Sequence, residues 1–575
     1  MGEMISGREA LFRCLEQEGV DLLFGYPGGT IMPVYDALFD YKDKIKHILT
    51  RHEQGAIHAA EGYARATGKT GVVIATSGPG ATNLVTGIAD ARIDSTPLVV
   101  ISGQVDTSVL GNDAFQETDF TDVTNPISKW GILVKKASDL PDVISKAFFI
   151  ANSGRPGPVV IDLPRDVQIN KFEWTGYKKC NFIRTYINRP EIKQEEIKEV
   201  ANLINRSQRP LILAGNGVTV ANAESTLAQI AEKADIPVVT TLHGLSVLPT
   251  SHPLSKGMVG MHGKIGANLA TNRADVILAV GVRFDDRIIG KVSAYAPNAK
   301  IIHIDIDPSE MGRTIAPYLT LHADASDALK ALLPFVEVNQ HKEWLDFFSK
   351  CEKFEFDKVI EKQLHPLKES MMTMGEVITK VSDNVNADAI LVTDVGQNQM
   401  SAVRYFRLGS PRSIITSGGL GTMGYGLPAS IGAKLGRPER TVCLFCGDGG
   451  FQMNIQELGT IMEFNVNIKI VILNNNFLGN VRQWQQLFFN SRYSQTPMVN
   501  PDFIQIVKAY GIKGEDVKTR EELEQAVNRM INHDGTYILN VNIDPHNNVF
   551  PMIYPGSPID EIMLSEKEQL NILEL

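Results

Sequence analysis

A single aspartate between glycines follows an apolar run in the last quarter of the chain. Residues 442–454 read VCLFCGDGGFQMN, and the next apolar run, IKIVILNNN (468–476), ends in three asparagines. If both runs are parallel strands, Asp448 and Asn475 lie at the same sheet edge, where open α/β sheets bind ligands. The glycines leave backbone amides free for phosphate oxygens, and Mg²⁺ prefers carboxylate, carbonyl and phosphate oxygens. The pattern predicts a site for a metal ion and a diphosphate.

The same stretch offers a competing metal or redox pair, Cys443 and Cys446. Side chains of a regular strand alternate between its two faces, so these thiols would point to opposite sides. The chain has five cysteines and no second Cys-x-x-Cys pair to complete a zinc site. We therefore interpret both residues as buried strand cysteines.

The Gly-Asp-Gly turn followed by an Asn-Asn strand end resembles the thiamine-diphosphate-binding motif. Gly-Asp-Gly alone is only a good turn, and the asparagines of the next strand make the pattern specific. The resemblance implies that Mg²⁺ is bound by the side chains of Asp448 and Asn475 and by the backbone carbonyl of Phe477.

A segment near the start of the chain, TRHEQGAIHAAEGYARATGK (50–69), resembles the one that carries the activating acid of this family, here Glu53. Such a carboxylate hydrogen-bonds to the aminopyrimidine ring of the cofactor, whose imine then takes the thiazolium proton. The alternative is a glutamate that only stabilises a helix N-terminus. The apolar residues after Glu53 favour a largely buried helix. In this family one subunit supplies the glutamate and its partner the diphosphate site, so the resemblance implies at least a dimer.

Apolar runs alternate with helical stretches along the whole chain, which predicts α/β units whose parallel sheets are covered on both faces. The runs are GVVIAT (71–76), TPLVVISG (96–103) and GPVVIDLP (157–164), then PLILAGNG (210–217), IPVVTTL (236–242), ADVILAVGVRF (274–284) and KIIHIDID (300–307), then AILVTDVG (389–396), TVCLFCGDGG (441–450), IKIVILNNN (468–476) and TYILNVNID (536–544). Polar residues 174–196 and the charged, helical stretch 340–370 predict linkers between the units.

We predict three α/β domains, residues 1–180, 190–340 and 370–575. The first and third both run from a helix through a glycine to a strand and a Gly-rich turn, which hints at duplication. The resemblance implies that the first binds the pyrimidine of thiamine diphosphate and the third its diphosphate, with a Rossmann-like FAD-binding domain between them.

Composition excludes several other classes of protein. The net charge of −10 comes without a dense Lys/Arg stripe, which argues against nucleic acid or an anionic membrane as a partner. No apolar run approaches the roughly 20 residues of a membrane span, and the start shows no secretory pattern. Five scattered cysteines indicate a reducing compartment, so a cytoplasmic protein is expected. Ser6 and Glu9 predict a capping box at the first helix.

Three segments of the middle unit closely resemble the FAD-binding segments of the acetohydroxyacid synthase (acetolactate synthase) family. They are GMVGMHG (257–263), GVRFDDRIIGK (281–291) and HIDIDPSEMGR (303–313). Physically, Arg283 and Arg287 can pair with a diphosphate, and Asp305 at a strand end suits ribose or adenine hydrogen bonds. A surface charge cluster would explain any one of these residues but not three segments together. In this family the flavin is retained for structure and does no redox work.

The resemblance covers essentially the whole chain and implies further site residues. Those implied for FAD are Arg155, Gly215, Asn216, Gly217, Thr241, Leu242, Met261, His262, Gly281, Arg283, Asp285, Arg287, Asp305, Ile306 and Asp324. Those implied for thiamine diphosphate are Glu53, Pro79, Asn83, Val395, Gly396, Gln397, Asn398, Gly421, Met423, Gly447, Asp448, Gly449, Gly450, Asn475, Phe477, Leu478 and Gly479. Those implied at the reacting centre are Glu53, Phe115, Gln116, Lys129, Met423 and Trp484. Met423 would hold the cofactor in its bent form, and Trp484 would shape the pocket of the second 2-keto acid.

Four positions depart from the family pattern. Asn398 stands where histidine is usual, Phe477 where histidine or arginine often occurs, and Asn480 where methionine is common. Trp130 stands where histidine is frequent. None replaces the acid or a side-chain Mg²⁺ ligand, so activity is expected. Asn480 and Trp130 lie on segments that shape the substrate pocket, which leaves substrate preference and inhibitor sensitivity open.

The resemblance implies a synthase that decarboxylates pyruvate and transfers the hydroxyethyl unit to a second 2-keto acid. Pyruvate as acceptor gives 2-acetolactate and 2-ketobutyrate gives 2-aceto-2-hydroxybutyrate, on the route to branched-chain amino acids. A homodimer or tetramer and a small regulatory subunit are implied as partners, whereas the preferred acceptor stays open.

Three other functions are weighed against this prediction. Glyoxylate carboligase lacks the acid found here as Glu53, and Trp484 with GVRFDDR (281–287) favours the synthase over pyruvate oxidase. A non-catalytic cofactor-binding paralogue would not be expected to keep Glu53, Asp448 and Asn475.

Overall fold

The chain folds around three six-stranded sheets in which every strand pairing is parallel, as the computed structural model of residues 2–186, 189–571 and 573 shows. Each sheet separates two apolar cores, because helices pack on both of its faces. This confirms the predicted fold class. Of the helices in these ranges, none combines the length and the hydropathy needed to cross a membrane.

The first unit is built from residues before position 175. Its strands are β1 Glu3–Ser6, β2 Leu22–Gly25, β3 Lys46–Leu49, β4 Gly71–Ala75, β5 Leu98–Gln104, β6 Trp130–Leu133, β7 Pro158–Pro164 and β8 Lys171–Trp174. Its helices are α1 Gly7–Gln17, α2 Met32–Tyr41, α3 Glu53–Thr67, α4 Pro79–Thr82, α5 Val85–Asp94, α6 Phe120–Thr124, α7 Leu140–Asn152 and α8 Arg165–Ile169. The sheet order is β3-β2-β4-β5-β7-β6, and β1 pairs separately with β8.

The start of α1 departs in one detail from the predicted capping box. The Ser6 hydroxyl accepts a hydrogen bond from the Glu9 amide (3.4 Å), as expected of an N-cap. The Glu9 carboxylate accepts instead from Arg13 one turn later (2.6 Å). The Glu9 side chain thus forms an (i, i+4) ion pair with Arg13 instead of the contact with the Ser6 amide that would complete a capping box.

The second unit has the strand order 3-2-1-4-5-6 of dinucleotide-binding folds. Its strands are β9 Pro210–Ala214, β10 Val238–Thr240, β11 Ser255–Met258, β12 Val276–Val280, β13 Lys300–Asp305 and β14 Leu319–His322, in the order β11-β10-β9-β12-β13-β14. Its helices are α9 Gln194–Arg206, α10 Asn216–Val220, α11 Glu224–Ala234, α12 Ile265–Arg273, α13 Asp286–Ile289, α14 Ala325–Leu332, α15 Lys342–Glu355 and α16 Glu361–Leu364.

The third unit repeats the topology of the first. Its strands are β15 Ile390–Thr393, β16 Ile414–Ile415, β17 Val442–Gly447, β18 Lys469–Asn474, β19 Lys513–Val517, β20 Tyr537–Asn542, β21 Met552–Ile553 and β22 Ile562–Met563. Its helices are α17 Met374–Asp383, α18 Gln397–Tyr405, α19 Gly426–Gly436, α20 Asp448–Met453, α21 Leu458–Phe464, α22 Gly479–Phe488, α23 Phe503–Ala509 and α24 Arg520–Asn532. The sheet order β16-β15-β17-β18-β20-β19 matches that of the first sheet strand for strand, which supports the predicted duplication.

Residues beyond position 340 also complete the second unit. The stretch 340–370 is helical, as predicted, but it is not a free linker, because α15 buries Trp344, Phe348 and Cys351 in one core of the second sheet. Ile553 and Ile559, near the carboxyl terminus, enter the same core. A charged helix can still bury one apolar face, and a pattern of charge along the sequence does not reveal where that face packs.

Helices α3 and α19 join the first and third units by direct backbone contact. A Cβ added to Gly432 would lie 1.7 Å from the carbonyl oxygen of Ala59, and one added to Gly62 would lie 2.0 Å from that of Ala429. Both glycines are therefore required by the closeness of the crossing, since any side chain would push the helices apart.

We expect Gly432→Ala to destabilise the protein by about 3 kcal/mol, at the upper end of overpacking effects, because neither backbone can yield alone. Thermal unfolding would show this as a lower midpoint. Gly29→Ala is the matched control, because a Cβ there would meet nothing within 4 Å. Equal midpoints for the Gly432 variant and the wild type would contradict the close crossing.

The two cysteines of β17 lie on opposite faces of the third sheet. Cys443 belongs to one apolar core and Cys446 to the other, and both are fully buried. The interpretation as strand cysteines is confirmed, and the metal alternative is excluded by this geometry.

Candidate functional site

The carboxyl ends of β15, β17 and β18 bring the residues predicted for the diphosphate to one edge of the third sheet. Asp448 follows β17 directly as the first residue of α20 and is buried. Asn475 follows β18; its Oδ1 accepts from the Phe477 amide (3.0 Å), and its Nδ2 donates to Gln397 Oε1 (3.4 Å). A carboxylate and an amide side chain thus lie at the ends of two neighbouring strands, and both offer oxygen atoms of the kind that Mg²⁺ prefers.

Glycines keep the space above this edge open. Gly396, before α18, has φ +122°, a conformation that favours glycine. A Cβ on Gly449 would lie 2.9 Å from Leu478 Cδ2 and 3.7 Å from Met423 Cε. Met423 and Leu478, both predicted to touch the cofactor, therefore converge on the glycine turn.

Two buried amide oxygens at this edge have no hydrogen-bond partner among the described residues. They are Asn398 Oδ1 and Asn480 Oδ1, on the first turns of α18 and α22. Asn398 Nδ2 donates a hydrogen bond to the Val395 carbonyl (3.1 Å). Asn480 lies close to the same turn, because a Cβ on Gly396 would be 3.9 Å from Asn480 Cβ. Buried polar groups without partners are rare in native structures. These two oxygens are consistent with a polar group bound beside them.

Asp394, which was not predicted from the sequence, organises the turn that precedes α19. Its carboxylate accepts from the amides of Gly424 (3.1 Å) and Gly426 (2.9 Å) and is buried. Burial raises the pKa of Asp394, and the three backbone donors around it partly offset that rise. The residue lies inside the quoted run AILVTDVG, so its position at a strand end was the available signal.

Glu53 and its two predicted neighbours come together at the edge of the first sheet. Glu53 is the first residue of α3 and is 9% exposed. Its Oε2 accepts from Asn83 Nδ2 (2.9 Å), and Pro79 starts the short helix α4 on the same side. A Cβ on Gly80 would lie 3.2 Å from Glu53 Oε1, so the turn packs closely on the carboxylate. The helix is largely buried, as predicted.

Glu457, which the sequence did not single out, holds the backbone just before α3. Its carboxylate accepts from the Arg51 amide (3.1 Å) and from the Thr460 hydroxyl (2.6 Å). A Cβ on Gly55 would lie 2.3 Å from Glu457 Oε1. Through these contacts the third unit fixes the beginning of the helix that carries Glu53.

We expect Glu457 to make the free energy of unfolding of the wild type fall as the pH rises from about 4.5 to about 7. Burial raises the pKa of Glu457 from its ordinary value of 4.5 to about 7. In that window the unfolded chain loses the proton and the folded chain keeps it, so the wild type loses stability, by at most about 3 kcal/mol. Glu457→Gln, which cannot titrate, should lack this loss. The difference between the two unfolding midpoints, followed from pH 4.5 to 8, measures it, and a constant difference would contradict the expectation.

Of the remaining predicted catalytic residues, Gln116 lies at the edge of the first sheet, because a Cβ on Gly78, just before Pro79, would be 2.8 Å from its backbone oxygen. Phe115 is 86% exposed, and Gln116 beside it has φ +60°. Lys129 Nζ donates to the carbonyls of Ile150 and Ser153 at the end of α7. Burial lowers the pKa of Lys129 to about 7. Its amine thus binds the protein's own backbone, and a catalytic role for it remains a prediction.

A cavity of about 540 Å³ lies between the three units. Every residue predicted for FAD lines it except Gly215, which packs behind it, where a Cβ would lie 2.1 Å from the Gly281 carbonyl oxygen. The cavity also reaches Gly421, Asn480 and Trp484 of the third unit. A second cavity of about 690 Å³ shares Asn480 and Trp484 with the first one.

Charged groups of the cavity wall are partly free to meet an anion. The side chains of Arg283 and Arg287 keep 27% and 58% exposure, and their nearest acids, Asp285 and Asp286, lie 3.9 and 3.6 Å away. Arg155 is engaged more firmly, since it donates to Glu310 (2.8 Å) and to the Ser95 hydroxyl (2.8 Å). Arg283 and Arg287, which are held less firmly than Arg155, are the better candidates for a diphosphate.

Asp94, also missed in the sequence, fixes the glycine turn that ends at Gly421. Its two carboxylate oxygens accept from the amides of Gly418 (2.9 Å) and Gly419 (2.8 Å). Burial alone would raise its pKa, but the neighbouring His243 and Arg65 lower the pKa of Asp94 below its usual value. The turn between the cavity and the diphosphate edge is thus anchored to the first unit.

A buried group of His58, Glu61 and Asp90 has the residue types of a metal site. His58 Nδ1 and Glu61 Oε1 lie 2.9 Å apart, in hydrogen-bond contact. Burial lowers the pKa of His58 to about 3 and raises that of Glu61 well above its usual value. Burial thus disfavours the charged form of both groups, and Asp90 accepts a hydrogen bond from the Ser417 hydroxyl (2.6 Å). This geometry favours a structural contact over a metal site.

The fold and the two sheet edges define the class, and family models agree with it. Residues 5–123 match the N-terminal TPP binding domain of the thiamine pyrophosphate enzymes, residues 197–332 their central domain and residues 394–541 their C-terminal TPP binding domain. Close relatives lie within this class. The chain is 43% identical over 562 residues to the acetolactate synthase isozyme 2 large subunit of Escherichia coli (strain K12), which covers 97% of the chain and 99% of the relative.

Two further relatives agree. One is the acetolactate synthase large subunit of Lactococcus lactis subsp. lactis (strain IL1403), 42% identical over 97% of the chain and 96% of the relative. The other is the probable acetolactate synthase large subunit of Methanocaldococcus jannaschii, 43% identical over 97% and 95%. The chain belongs to the acetolactate synthase large subunits of the thiamine pyrophosphate enzyme family.

Proposed function

We propose that the protein is the catalytic subunit of an acetolactate synthase that decarboxylates pyruvate and transfers the hydroxyethyl unit to a second pyruvate or to 2-ketobutyrate. The observation that supports the proposal most is the diphosphate edge: Asp448 and Asn475 follow two neighbouring strands of the third sheet, and Trp484 borders both of the adjoining cavities. An oxidase or carboligase of the same superfamily, or a non-catalytic paralogue, is the less favoured alternative.

Three cofactors are proposed on residues of this chain. Thiamine diphosphate would bind at the edges that carry Glu53 and Asp448, and when bound it supplies the carbon that adds to the keto acid. Mg²⁺ would be held by Asp448, Asn475 and the Phe477 carbonyl, whose oxygen ligands suit it. FAD would occupy the cavity of about 540 Å³, whose wall holds nearly all residues predicted for it. The residues that the family resemblance implies for each cofactor are proposed as its binding residues.

The chain's own residues would then bind and orient. Glu53, fixed by Asn83, would hold a proton shared with the pyrimidine and so tune its basicity. Met423, beside Gly449, would keep the cofactor bent. Trp484, in contact with Phe488 (ring centroids 5.5 Å apart), would select the second keto acid by shape.

An oligomer is part of the proposal. Glu53 lies in the first unit and Asp448 in the third, and the cavity of about 540 Å³ has neither in its wall. We propose that Glu53 of one subunit serves the diphosphate edge of another, in a homodimer or tetramer, and that a small regulatory subunit binds it. Domain boundaries at residues 1–180, 190–340 and 370–575 and a cytoplasmic location, which the five unpaired cysteines support, are proposed with it.

Product analysis tests the proposed function. Purified protein with thiamine diphosphate, Mg²⁺, FAD and pyruvate should accumulate acetolactate without consuming oxygen, and a mixture of pyruvate and 2-ketobutyrate should reveal the preferred acceptor. Oxygen-dependent formation of acetyl phosphate would instead identify an oxidase. Cofactor binding without any product would identify a non-catalytic paralogue.

A further inference from the structure

Asn500 lies over the diphosphate edge and contacts both of the strand ends that form it. Its Nδ2 is 2.7 Å from Asp448 Oδ2, 3.1 Å from Asn474 Oδ1 and 3.0 Å from Asn476 Oδ1. An amide nitrogen has only two hydrogens, so three acceptors compete for it. The charged acceptor, which is also the nearest, should hold one of them, because hydrogen bonds to ionised groups are the stronger ones.

The orientation of this amide is fixed by Gln452. Gln452 Nε2 lies 3.2 Å from the backbone carbonyl of Asp448, which can only accept, so this atom must be the donor nitrogen. The same nitrogen is 2.9 Å from Asn500 Oδ1. Asn500 Oδ1 therefore faces a donor and Nδ2 faces Asp448, and the opposite flip would break both contacts.

The backbone around Asn500 connects it to the other proposed ligand. The Leu478 amide donates to the Thr496 carbonyl (2.9 Å), and the Met498 amide donates to the Asn476 carbonyl (2.9 Å). Residues 496–498 thus pair with 476–478, the segment that holds Phe477. Asn500 ends this pairing with a side chain that reaches across to Asp448.

We propose that Asn500 is a positioning residue of the magnesium site, which sets the orientation of the Asp448 carboxylate and ties it to the segment of the Phe477 carbonyl. The inference rests on the proposed Mg²⁺ and thiamine diphosphate site. A metal ligand whose rotation is fixed in advance loses less entropy when the ion binds. Asn500 would therefore act on the affinity for Mg²⁺ more than on the chemical step.

The test titrates Mg²⁺ into flavin-loaded protein that has been freed of metal by a chelator and saturated with thiamine diphosphate. Calorimetry gives the half-saturating Mg²⁺ concentration, and the Mg²⁺ dependence of acetolactate formation gives KM for Mg²⁺ and kcat. For Asn500→Ala we expect half-saturation to need about 10- to 100-fold more Mg²⁺, as for other residues that orient metal ligands, with kcat largely recovered at high Mg²⁺. Gln452→Ala should show a smaller shift in the same direction.

Asn298→Ala, at an exposed position of the second unit, is the matched control and should behave as the wild type. A folded Asn500→Ala protein with unchanged Mg²⁺ half-saturation overturns the inference, also if its kcat is lower. If the Asn500→Ala protein does not retain flavin or does not unfold cooperatively, the Gln452→Ala protein is used for the same titration. An unchanged half-saturating Mg²⁺ concentration in Gln452→Ala would then overturn the inference. A wild type without Mg²⁺-dependent cofactor binding would instead refute the proposed function.

Discussion

Acetolactate formation should fall by at least about 100-fold when Glu53 is replaced by glutamine, in the range that proton-transfer groups contribute to catalysis. Glutamine keeps the size of the side chain and can still accept from Asn83, but it has no carboxylate to share a proton with the pyrimidine. The loss should lie in kcat rather than in binding. Exchange of the thiazolium proton with deuterium, measured by acid quench and NMR, should slow in parallel with turnover.

The control for this variant is Glu463→Gln, an exposed glutamate that pairs with Arg51 two residues before Glu53 (2.7 Å). It should keep full activity, and both variants should keep their flavin, since neither residue lines the cavity. If Glu53→Gln turned over at the wild-type rate, Glu53 would not be the activating acid.

Replacing Asp448 with asparagine should weaken Mg²⁺-dependent binding of thiamine diphosphate by more than about 100-fold, beyond the effect of residues that only orient a ligand. The substitution removes the one charged ligand proposed for the ion, while the Asn500 amide still finds an oxygen to donate to. Calorimetric titration of thiamine diphosphate at fixed Mg²⁺ measures the effect. Asp534→Asn, at an exposed position, is the control. Wild-type affinity in the Asp448 variant would contradict the proposed metal site.

Mixing the two inactive proteins tests whether subunits share the site. In a mixed dimer of Glu53→Gln and Asp448→Asn chains, one site would combine an intact glutamate with an intact aspartate if these come from different subunits. Activity should then return in part after subunit exchange. If each chain used its own pair, no mixed site would be intact and the mixture would stay inactive.

Most of the fold was predictable because buried parallel strands read as continuous apolar runs. All eleven quoted runs contain strands of the three sheets, and even the duplication was visible as a shared order of helix, glycine and strand. The packing of α15 and of residues near 553–559 on the second unit was not predictable, since periodicity identifies an apolar face but not its partner. From the sequence alone, Gly62 and Gly432 are only residues of low helix propensity inside two helices. Only the crossing of the two helices shows why a side chain is excluded there.

Some residues of the candidate site could be predicted from the sequence and others could not. Asp448, Asn475 and Glu53 were found because they lie in local motifs with fixed spacing. Asp94 and Glu457 were missed because each acts on residues far away in the sequence, and Asn500 was missed because it lies outside the quoted motifs. Asp94 reaches a turn more than 300 residues later, and Glu457 holds a backbone 406 residues earlier. Contacts of this kind have no sequence signature until the topology brings the partners together.

The burial of the two β17 cysteines also decides how the protein can be labelled. Four of the five thiols, those of Cys14, Cys351, Cys443 and Cys446, are buried, and burial raises the pKa of each. Thiolates are the reactive form, so these four should react slowly with maleimides. Cys180, in the connection between the first and second units, is partly exposed. The natural chain therefore offers a single attachment point for a fluorophore or spin label, in the connection between these two units.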